Sequence, residues 1–375
     1  MNQPIPHNNQ ENPKQRIFVA MSGGVDSSTV AAILKEQGHD IIGVFMRQYD
    51  ADYGPAALSD DLDAVRCSWR EDKRDALAAC ATLGIPFEEW DFRDVYQREV
   101  VDYMTREYAA GRTPNPDVMC NRFVKFDAFF KKAREHGADM IATGHYVRIQ
   151  HTEDGHGLYE AHDTNKDQSY FLWALSPEVL PYCLFPLGDL EKPTVRTLAK
   201  KHALANWDKK DSQGVCFIGK ISMRDFLKGK IATTPGPLCT LDGKQVGTHD
   251  GAALYTIGQR HGLGFGGGEH TYYVAKKDMK ANIVYVAPET EPEHLLAKTL
   301  QFDTVNWLAP LPVFPLQCKA RTRYREPLHD VTIREVAPGT FMAEFEESIR
   351  AITEGQAIVL YDKGKMLGGG VITSK

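Results

Sequence analysis

The sequence predicts an α/β protein: a doubly wound parallel sheet, then a small β-rich central domain, then a C-terminal β-barrel. Three observations predict it. Strand and helix patterns alternate from residue 17 to about 150, which builds parallel βαβ units. Glycine becomes frequent and alternating segments shorten after about residue 222. From about 295 onward short strands recur with turns between them, and barrel closure is the simplest way to hide their edges. The divisions expected are a disordered tail 1–15, an α/β domain 16–222, a central β-rich domain 223–294 and a barrel 295–375.

Element by element, Ile17–Met21 reads as a strand, Thr29–Gln37 as a helix stopped by Gly38, and Asp40–Met46 as the next strand. Asp72–Leu83 reads as a helix ended by Gly84, Pro86–Asp91 as a short strand, and Tyr96–Ala110 as a helix ended by Gly111. Asp139–Thr143 is a strand that runs into Gly144 and His145. Helical spacing at 123, 126, 129/130 and 133 predicts a helix over Phe123–Ala133. Thr271–Ala275 and Asn282–Val286 are strands of the central domain. The barrel strands are Gln317–Tyr324, His329–Glu335, Phe341–Phe345, Ala357–Tyr361 and Gly369–Thr373. The acidic stretch Tyr49–Asp63 reads as a surface loop or insertion.

Composition narrows the class. The 375 residues are 42% hydrophobic and 25% charged, as in ordinary globular proteins. No apolar run approaches the roughly 20 residues of a membrane span, and Met1–Gln15 lacks the apolar centre of a signal peptide, so a cytoplasmic protein is expected. A net charge of −6 argues against a generally basic nucleic-acid coat but leaves room for a local basic surface. Seven cysteines, at 67, 80, 120, 183, 216, 239 and 318, include no Cys-x-x-Cys, so reduced thiols are expected and no structural metal.

The first chemical signal is Ser22-Gly23-Gly24-Val25-Asp26-Ser27-Ser28, between the first strand and the first helix. Backbone N–H groups and the helix dipole converge there on one spot, which suits phosphate. The Gly-Lys-Ser/Thr ending of the common P-loop is missing, and Asp26 stands in the loop instead. A carboxylate beside phosphate calls for a cation, so Mg²⁺ is implied.

The second signal is Asn115-Pro116-Asp117-Val118-Met119-Cys120-Asn121. Cys120 falls near the start of the predicted helix, where the dipole favours thiolate; position alone equally allows a small apolar residue. Asp117 suits an acid/base role, although a helix N-cap is the simpler reading. Cys216, between Gly214 and Gly219, reads by default as a buried strand cysteine. Beside a nucleotide loop and a second thiol it gains another reading, in which one thiol carries sulfur and the other resolves the bond. Arg321, Arg323 and Arg325 alternate on a predicted strand and would share a face, with Tyr324 available for stacking; an ordinary exposed strand face reads the same way.

With these motifs in place, nearly the whole chain after residue 16 resembles the bacterial tRNA-specific 2-thiouridylases, within the pyrophosphatase-loop ATPases of adenine nucleotide α-hydrolase-like fold. The resemblance rests on residues 22–28, 111–121, Ala142–Tyr146, Lys166–Leu172, Gly214–Gly219, Tyr255–Arg260 and Leu367–Gly370. It implies ATP-dependent 2-thiolation of the wobble uridine of tRNA, position 34, by adenylation of the C2 oxygen and sulfur transfer from a cysteine persulfide. It implies ATP on Ala20, Met21, Ser22, Gly23, Gly24, Val25, Asp26 and Ser27, with backbone near Met46 and Gly144 holding adenosine. Cys216 would carry the persulfide, and Cys120 would be the nucleophile that ends in a transient disulfide with it. Asn115, Pro116 and Asp117 would meet the target base, and His145, Lys166, Asp167, Gln168, Arg323, Tyr324 and Gln356 would meet tRNA. The implied partners are tRNA and a cysteine desulfurase or sulfur-relay protein, with the enzyme a monomer. Two other classes stay open on the residues: an amide-forming ligase on the same loop, which would not need the cysteines, and a tRNA-binding protein acting through the barrel alone.

Overall fold

The computed structural model describes residues 13–49, 69–152, 155–210, 222–263 and 271–374. Cys67, Cys216, the acidic stretch beyond Tyr49 and most of the N-terminal tail lie outside the described residues.

The first sheet has the order β3-β2-β1-β4-β7 and is parallel throughout. Its strands are β1 (Arg16–Met21), β2 (Asp40–Arg47), β3 (Phe87–Asp91), β4 (Met140–Ala142) and β7 (Cys183–Leu184). Between β4 and β7 the chain makes a hairpin, β5 (Arg148–Thr152) and β6 (Gly155–Tyr159), which leaves this sheet. All of Ile17–Met21 is buried because a central parallel strand is covered on both faces. Its side chains alternate between two cores. Ile17, Val19 and Met21 pack with helices α1 (Val25–Glu36) and α2 (Trp69–Leu83). Phe18 and Ala20 pack under two longer rods. One rod, α3, runs through Arg93–Tyr96, a π-helical Gln97–Val101 and Asp102–Ala109. The other, α4, runs through Pro116–Met119, a π-helical Cys120–Ala128 and Phe129–Glu135. Helix α5 (Lys192–Lys201) joins α1 on the first face through Val195 and Ala199.

The helix carrying Cys120 therefore starts at Pro116, well before the expected Phe123. Its N-cap is Asn115, not Asp117: the Asn115 side chain accepts from the amides of Asp117 and Val118. Proline at the first helical position fixes φ and lacks a donor the helix could not use there, so the start is set by Asn-Pro chemistry. Cys120 thus sits past the first turn, where its own amide bonds within the helix and the dipole has largely faded.

After α6 (Met223–Lys228), the central domain is a four-stranded sheet of β8 (Gly236–Thr240), β9 (Gln245–His249), β10 (Tyr272–Asp278) and β11 (Ile283–Pro288), in the order β10-β11-β8-β9. The last domain has β12 (Leu296–Trp307), β13 (Leu316–Arg321), β14 (His329–Ala337), β15 (Thr340–Arg350), β16 (Ala357–Asp362) and β17 (Lys365–Ser374). These six strands close into an antiparallel barrel because β12 pairs with both β15 and β17. Phe302, Ile333, Phe345, Ile358 and Ile372 fill it.

Two features weld the first domain to the barrel. Hairpin β5–β6 extends the barrel sheet, meeting β17 where Tyr159 pairs with Lys365. Trp173 lies against Gly369, where a Cβ would come within 3.0 Å of the indole ring and 2.7 Å of the Ile358 carbonyl. Glycine is needed there for the approach, which gives the Leu367–Gly370 motif a packing role.

β13 ends at Arg321, so the expected strand face shared by Arg321, Arg323 and Arg325 does not form. Arg321 is buried against Glu160 and Asp167, and Arg325 lies beyond the strand with a φ of +64°.

Candidate active site

The site sits at the carboxyl ends of the parallel strands, where β1 leads to β2 on one side and the sheet continues to β4 on the other. Ligands gather at such a switch point. The Ser22–Ser28 loop folds on itself there. Ser27 Oγ accepts from the Ser22 amide at 3.1 Å, and the two hydroxyls lie 3.2 Å apart. Gly23 has φ +76°, and a Cβ on it would stand 2.2 Å from the Asp72 carbonyl oxygen, so no other residue fits the turn. Asn206 braces the loop from outside by donating to the Gly23 carbonyl and to Ser28 Oγ, each at 3.0 Å. Gly144, following β4, closes over it: a Cβ would lie 3.0 Å from the Ser27 amide nitrogen.

The cation missing from the loop comes from the start of α5. Lys192 Nζ lies 2.7 and 2.8 Å from the Asp26 carboxylate oxygens, and Tyr146 donates its hydroxyl to Asp26 Oδ1 at 3.0 Å. The sequence reading missed both partners. The one local signal was Lys192-Pro193, a helix-opening pair whose lysine stands at the first turn. Because Lys192 answers Asp26, the loop's acid does not by itself require a metal. Among the described residues no group of three or more His, Cys, Asp or Glu is arranged to hold one.

The second half of the site lies against the end of β2. Cys120, buried, faces Gln48 just beyond β2, with Gln48 Nε2 3.8 Å from its sulfur. Met46 packs partly buried against the same core cluster. Asp117, one turn earlier on α4, has its carboxyl pushed above the ordinary range by burial, partly opposed by the positive charge of Lys125. Lys125 also acts on His145, which burial drives well below the usual histidine range. His145 Nδ1 lies 2.7 Å from Thr143 Oγ1, and its ring packs near Phe126 of α4. Asp117 and His145 thus both feel Lys125, which stands on the same helix as Cys120.

The remaining expected tRNA-facing residues divide by what they touch. Asp167 is buried and accepts from the amides of Ala161 and Ser169, from Ser169 Oγ and from Arg321. Gln168 Oε1 accepts from the Tyr146 amide at 2.9 Å. Lys166 lines a cleft of about 550 Å³ between the first domain and the barrel, shared with Arg325 and Glu326. Arg323 donates to the carbonyls of Ile257 and Ala351 and to Thr353 Oγ1, and Tyr324 packs on Phe171 with ring centroids 4.6 Å apart. Gln356 Nε2 donates to the carbonyl of Thr113 at 2.8 Å and of Pro114 at 3.3 Å, directly before Asn115.

Fold and site together define a nucleotide-binding α/β catalytic domain coupled to a buried thiol and a β-barrel. Family models match in the same order: a tRNA methyl transferase HUP domain over residues 15–220, a tRNA methyl transferase PRC-barrel domain over 224–288, and an aminomethyltransferase beta-barrel domain over 297–372. The chain is 44% identical over 358 residues to tRNA-specific 2-thiouridylase MnmA 2 of Geobacillus kaustophilus, covering 95% of this chain and 94% of that one. It is 46% identical over 365 residues to tRNA-specific 2-thiouridylase MnmA of Lactococcus lactis subsp. cremoris, covering 95% and 94%. With MnmA of Ralstonia pickettii it shares 44% identity, covering 96% of each chain. The chain belongs to the tRNA-specific 2-thiouridylase family.

Proposed function

We propose that the protein, a tRNA-uridine 2-sulfurtransferase, replaces the C2 oxygen of the wobble uridine (position 34) of tRNA with sulfur in an ATP-dependent reaction. The observation that carries this reading is that the Ser22–Ser28 loop follows β1 while Gln48, which faces the Cys120 thiol, follows the adjacent parallel strand β2, so both lie at the same, carboxyl end of the sheet. Gly144 closes on the loop, and Gln48 at the end of β2 faces the sulfur.

In this reading the amides of Ala20–Ser27 receive the phosphates of ATP, and backbone near Met46 and Gly144 receives adenosine. Lys192 offsets the charge on Asp26 and on the incoming phosphates. Magnesium, where it takes part, arrives as the counter-ion of ATP. The uridine C2 oxygen attacks the α-phosphorus and pyrophosphate leaves. Oxygen at C2 is a poor leaving group, whereas AMP is a good one. The terminal sulfur of a persulfide on Cys216 then adds to C2, and AMP departs with the original oxygen. Cys120 thiolate attacks the Cys216 sulfur. The S–S bond breaks, its electrons leave with the thiouridine, and a Cys120–Cys216 disulfide remains for an external thiol to reduce. A carboxyl of raised pKa at Asp117 suits proton transfer beside the base.

Asn115, Pro116 and Asp117 meet the target base, and Lys166 and Tyr324 meet the tRNA at the domain cleft. His145, Asp167, Gln168, Arg323 and Gln356 serve the same surface by holding its loops. The sulfur comes from a cysteine desulfurase, directly or through a relay protein, and the enzyme works as a monomer in the cytoplasm. Among the described residues no helix is long and apolar enough to cross a membrane.

The test is mass spectrometry of nucleosides from tRNA incubated with enzyme, ATP, cysteine and a cysteine desulfurase, with oxygen label at uridine C2. The expected result is 2-thiouridine that depends on ATP, with the label recovered in AMP. Unmodified tRNA, together with ATP–pyrophosphate exchange driven by an amino or carboxylic acid, would overturn the reading in favour of a ligase.

A further inference from the structure

The Tyr255–Arg260 segment of the central domain has no part in the chemistry above, yet it stands where all three domains meet. Thr256 Oγ1 lies 3.2 Å from Thr113 Oγ1 of the first domain. The Ile257 carbonyl accepts from Arg323 of the barrel at 2.8 Å. The Tyr255 carbonyl accepts from Lys277 Nζ at 2.7 Å, and the same ammonium donates to the Gly111 carbonyl at 2.7 Å. Gly111 terminates α3 with φ +80° and opens the loop that leads to Asn115, Asp117 and Cys120.

We propose that Lys277 is a positioning residue for sulfur transfer, holding the start of the Gly111–Asn115 loop against the central domain so that Asp117 and Cys120 keep their place beside the nucleotide. This rests on the function proposed above. Two carbonyls from different domains converge on one point, one of them on the left-handed glycine just past the helix end, where no intrahelical donor reaches it. A long cationic side chain with several donors satisfies both at once. Met279, two residues on, covers Gly111: a Cβ there would stand 2.5 Å from Met279 Cγ. The far end of the loop is tied separately. The Thr113 amide donates to the Glu354 carbonyl at 2.8 Å, and Gln356 holds the Thr113 and Pro114 carbonyls. The loop is thus pinned from the central domain at its start and from the barrel at its end. Burial lowers the Lys277 ammonium to about 8, with the negative charge of Glu354 opposing that fall. A desolvated lysine is kept at a cost that the two carbonyl bonds offset.

The test uses the full-length enzyme with Lys277→Met and Lys277→Arg. For Lys277→Met, kcat for tRNA thiolation is expected to fall about ten- to a hundredfold, the scale of a misplacement near 1 Å. The KM for ATP should stay within about twofold, because the phosphate loop is braced elsewhere. Amide hydrogen exchange should rise in residues 112–120 and not in β1. Lys277→Arg, which keeps charge and donors, should lie closer to wild type in both readings. Unchanged exchange in 112–120, or a kcat within about twofold of wild type, would overturn the proposal. Should Lys277→Met melt as a whole, Lys277→Gln decides by the same two readings. If the wild-type enzyme forms no thiouridine, the functional reading falls, while the exchange comparison still decides whether Lys277 holds the loop.

Discussion

The ammonium of Lys192 sits 2.7 and 2.8 Å from the two carboxylate oxygens of Asp26, across a separation of 166 residues. The lysine that a phosphate loop usually carries within itself is here delivered by another helix. The loop's net charge therefore depends on the docking of α5 on α1.

That pair makes the first prediction. Lys192 is nearly buried and Asp26 about two-thirds so, with side-chain exposures of 10% and 30%. Lys192→Met strands the carboxylate and should lower stability by roughly 1–3 kcal/mol in urea unfolding, toward the low side of buried-pair costs because Asp26 keeps some water. The double variant Asp26→Asn/Lys192→Met should regain most of that stability and none of the ATP-dependent turnover. A double variant as unstable as the single one would show that the lysine packs rather than pairs.

Gln356 separates two roles. A residue that only touched tRNA would change the KM for tRNA when removed. Its amide instead donates to the carbonyls of Thr113 and Pro114, next to the helix-capping Asn115. Gln356→Ala should therefore lower kcat about tenfold or more with a smaller change in tRNA KM. A pure KM effect would return Gln356 to the RNA surface.

His145 predicts an acid-side loss of stability. Its folded-state pKa lies well below 6.5 because burial disfavours the imidazolium. As pH falls through about 6.5 the unfolded chain takes up a proton that the folded chain refuses, so stability rises with pH across that window and drops below it. His39 and His249, also lowered by burial, act in the same direction. Thermal unfolding between pH 7.5 and 5.5 should show a fall in Tm, and His145→Gln should make it shallower. Parallel curves for the two proteins would contradict the assignment.

Gly369→Ala puts a methyl group against the Ile358 carbonyl and the Trp173 ring. Overpacking of this kind costs about 1–3 kcal/mol. The loss should appear as a lower Tm together with changed Trp fluorescence, since Trp173 is a fully buried indole at the joint. A Tm within a degree of wild type would mean that the joint yields freely.

The parts of this molecule that a sequence reveals are those whose partners are local. The strand, the glycine turn and the helix around Ser22–Ser28 follow from neighbouring residues. Asn115-Pro116 also carried a legible helix start, but the apolar spacing beginning at Phe123 outweighed it, and a π-helical Cys120–Ala128 falls outside the ordinary helical period. Lys192, Asn206 and Lys277 were not legible. Each acts on a backbone or side-chain group far along the chain, and nothing near any of them marks its target. Arg321 and Arg323 misled for the opposite reason: their spacing suits an exposed strand face, whereas tertiary contacts turn both inward.

The hairpin β5–β6 belongs by sequence to the first domain and by hydrogen bonding to the last sheet. A cut after the central domain would divide the polypeptide without dividing the fold, leaving β17 with a bare edge near Lys365 and a hairpin with nothing to lie on. The unit that could be transplanted, swapped or inherited whole is therefore not the barrel alone. It is the barrel with a strip of the first domain attached, so a change at the barrel edge carries a mechanical link back into the parallel-sheet domain.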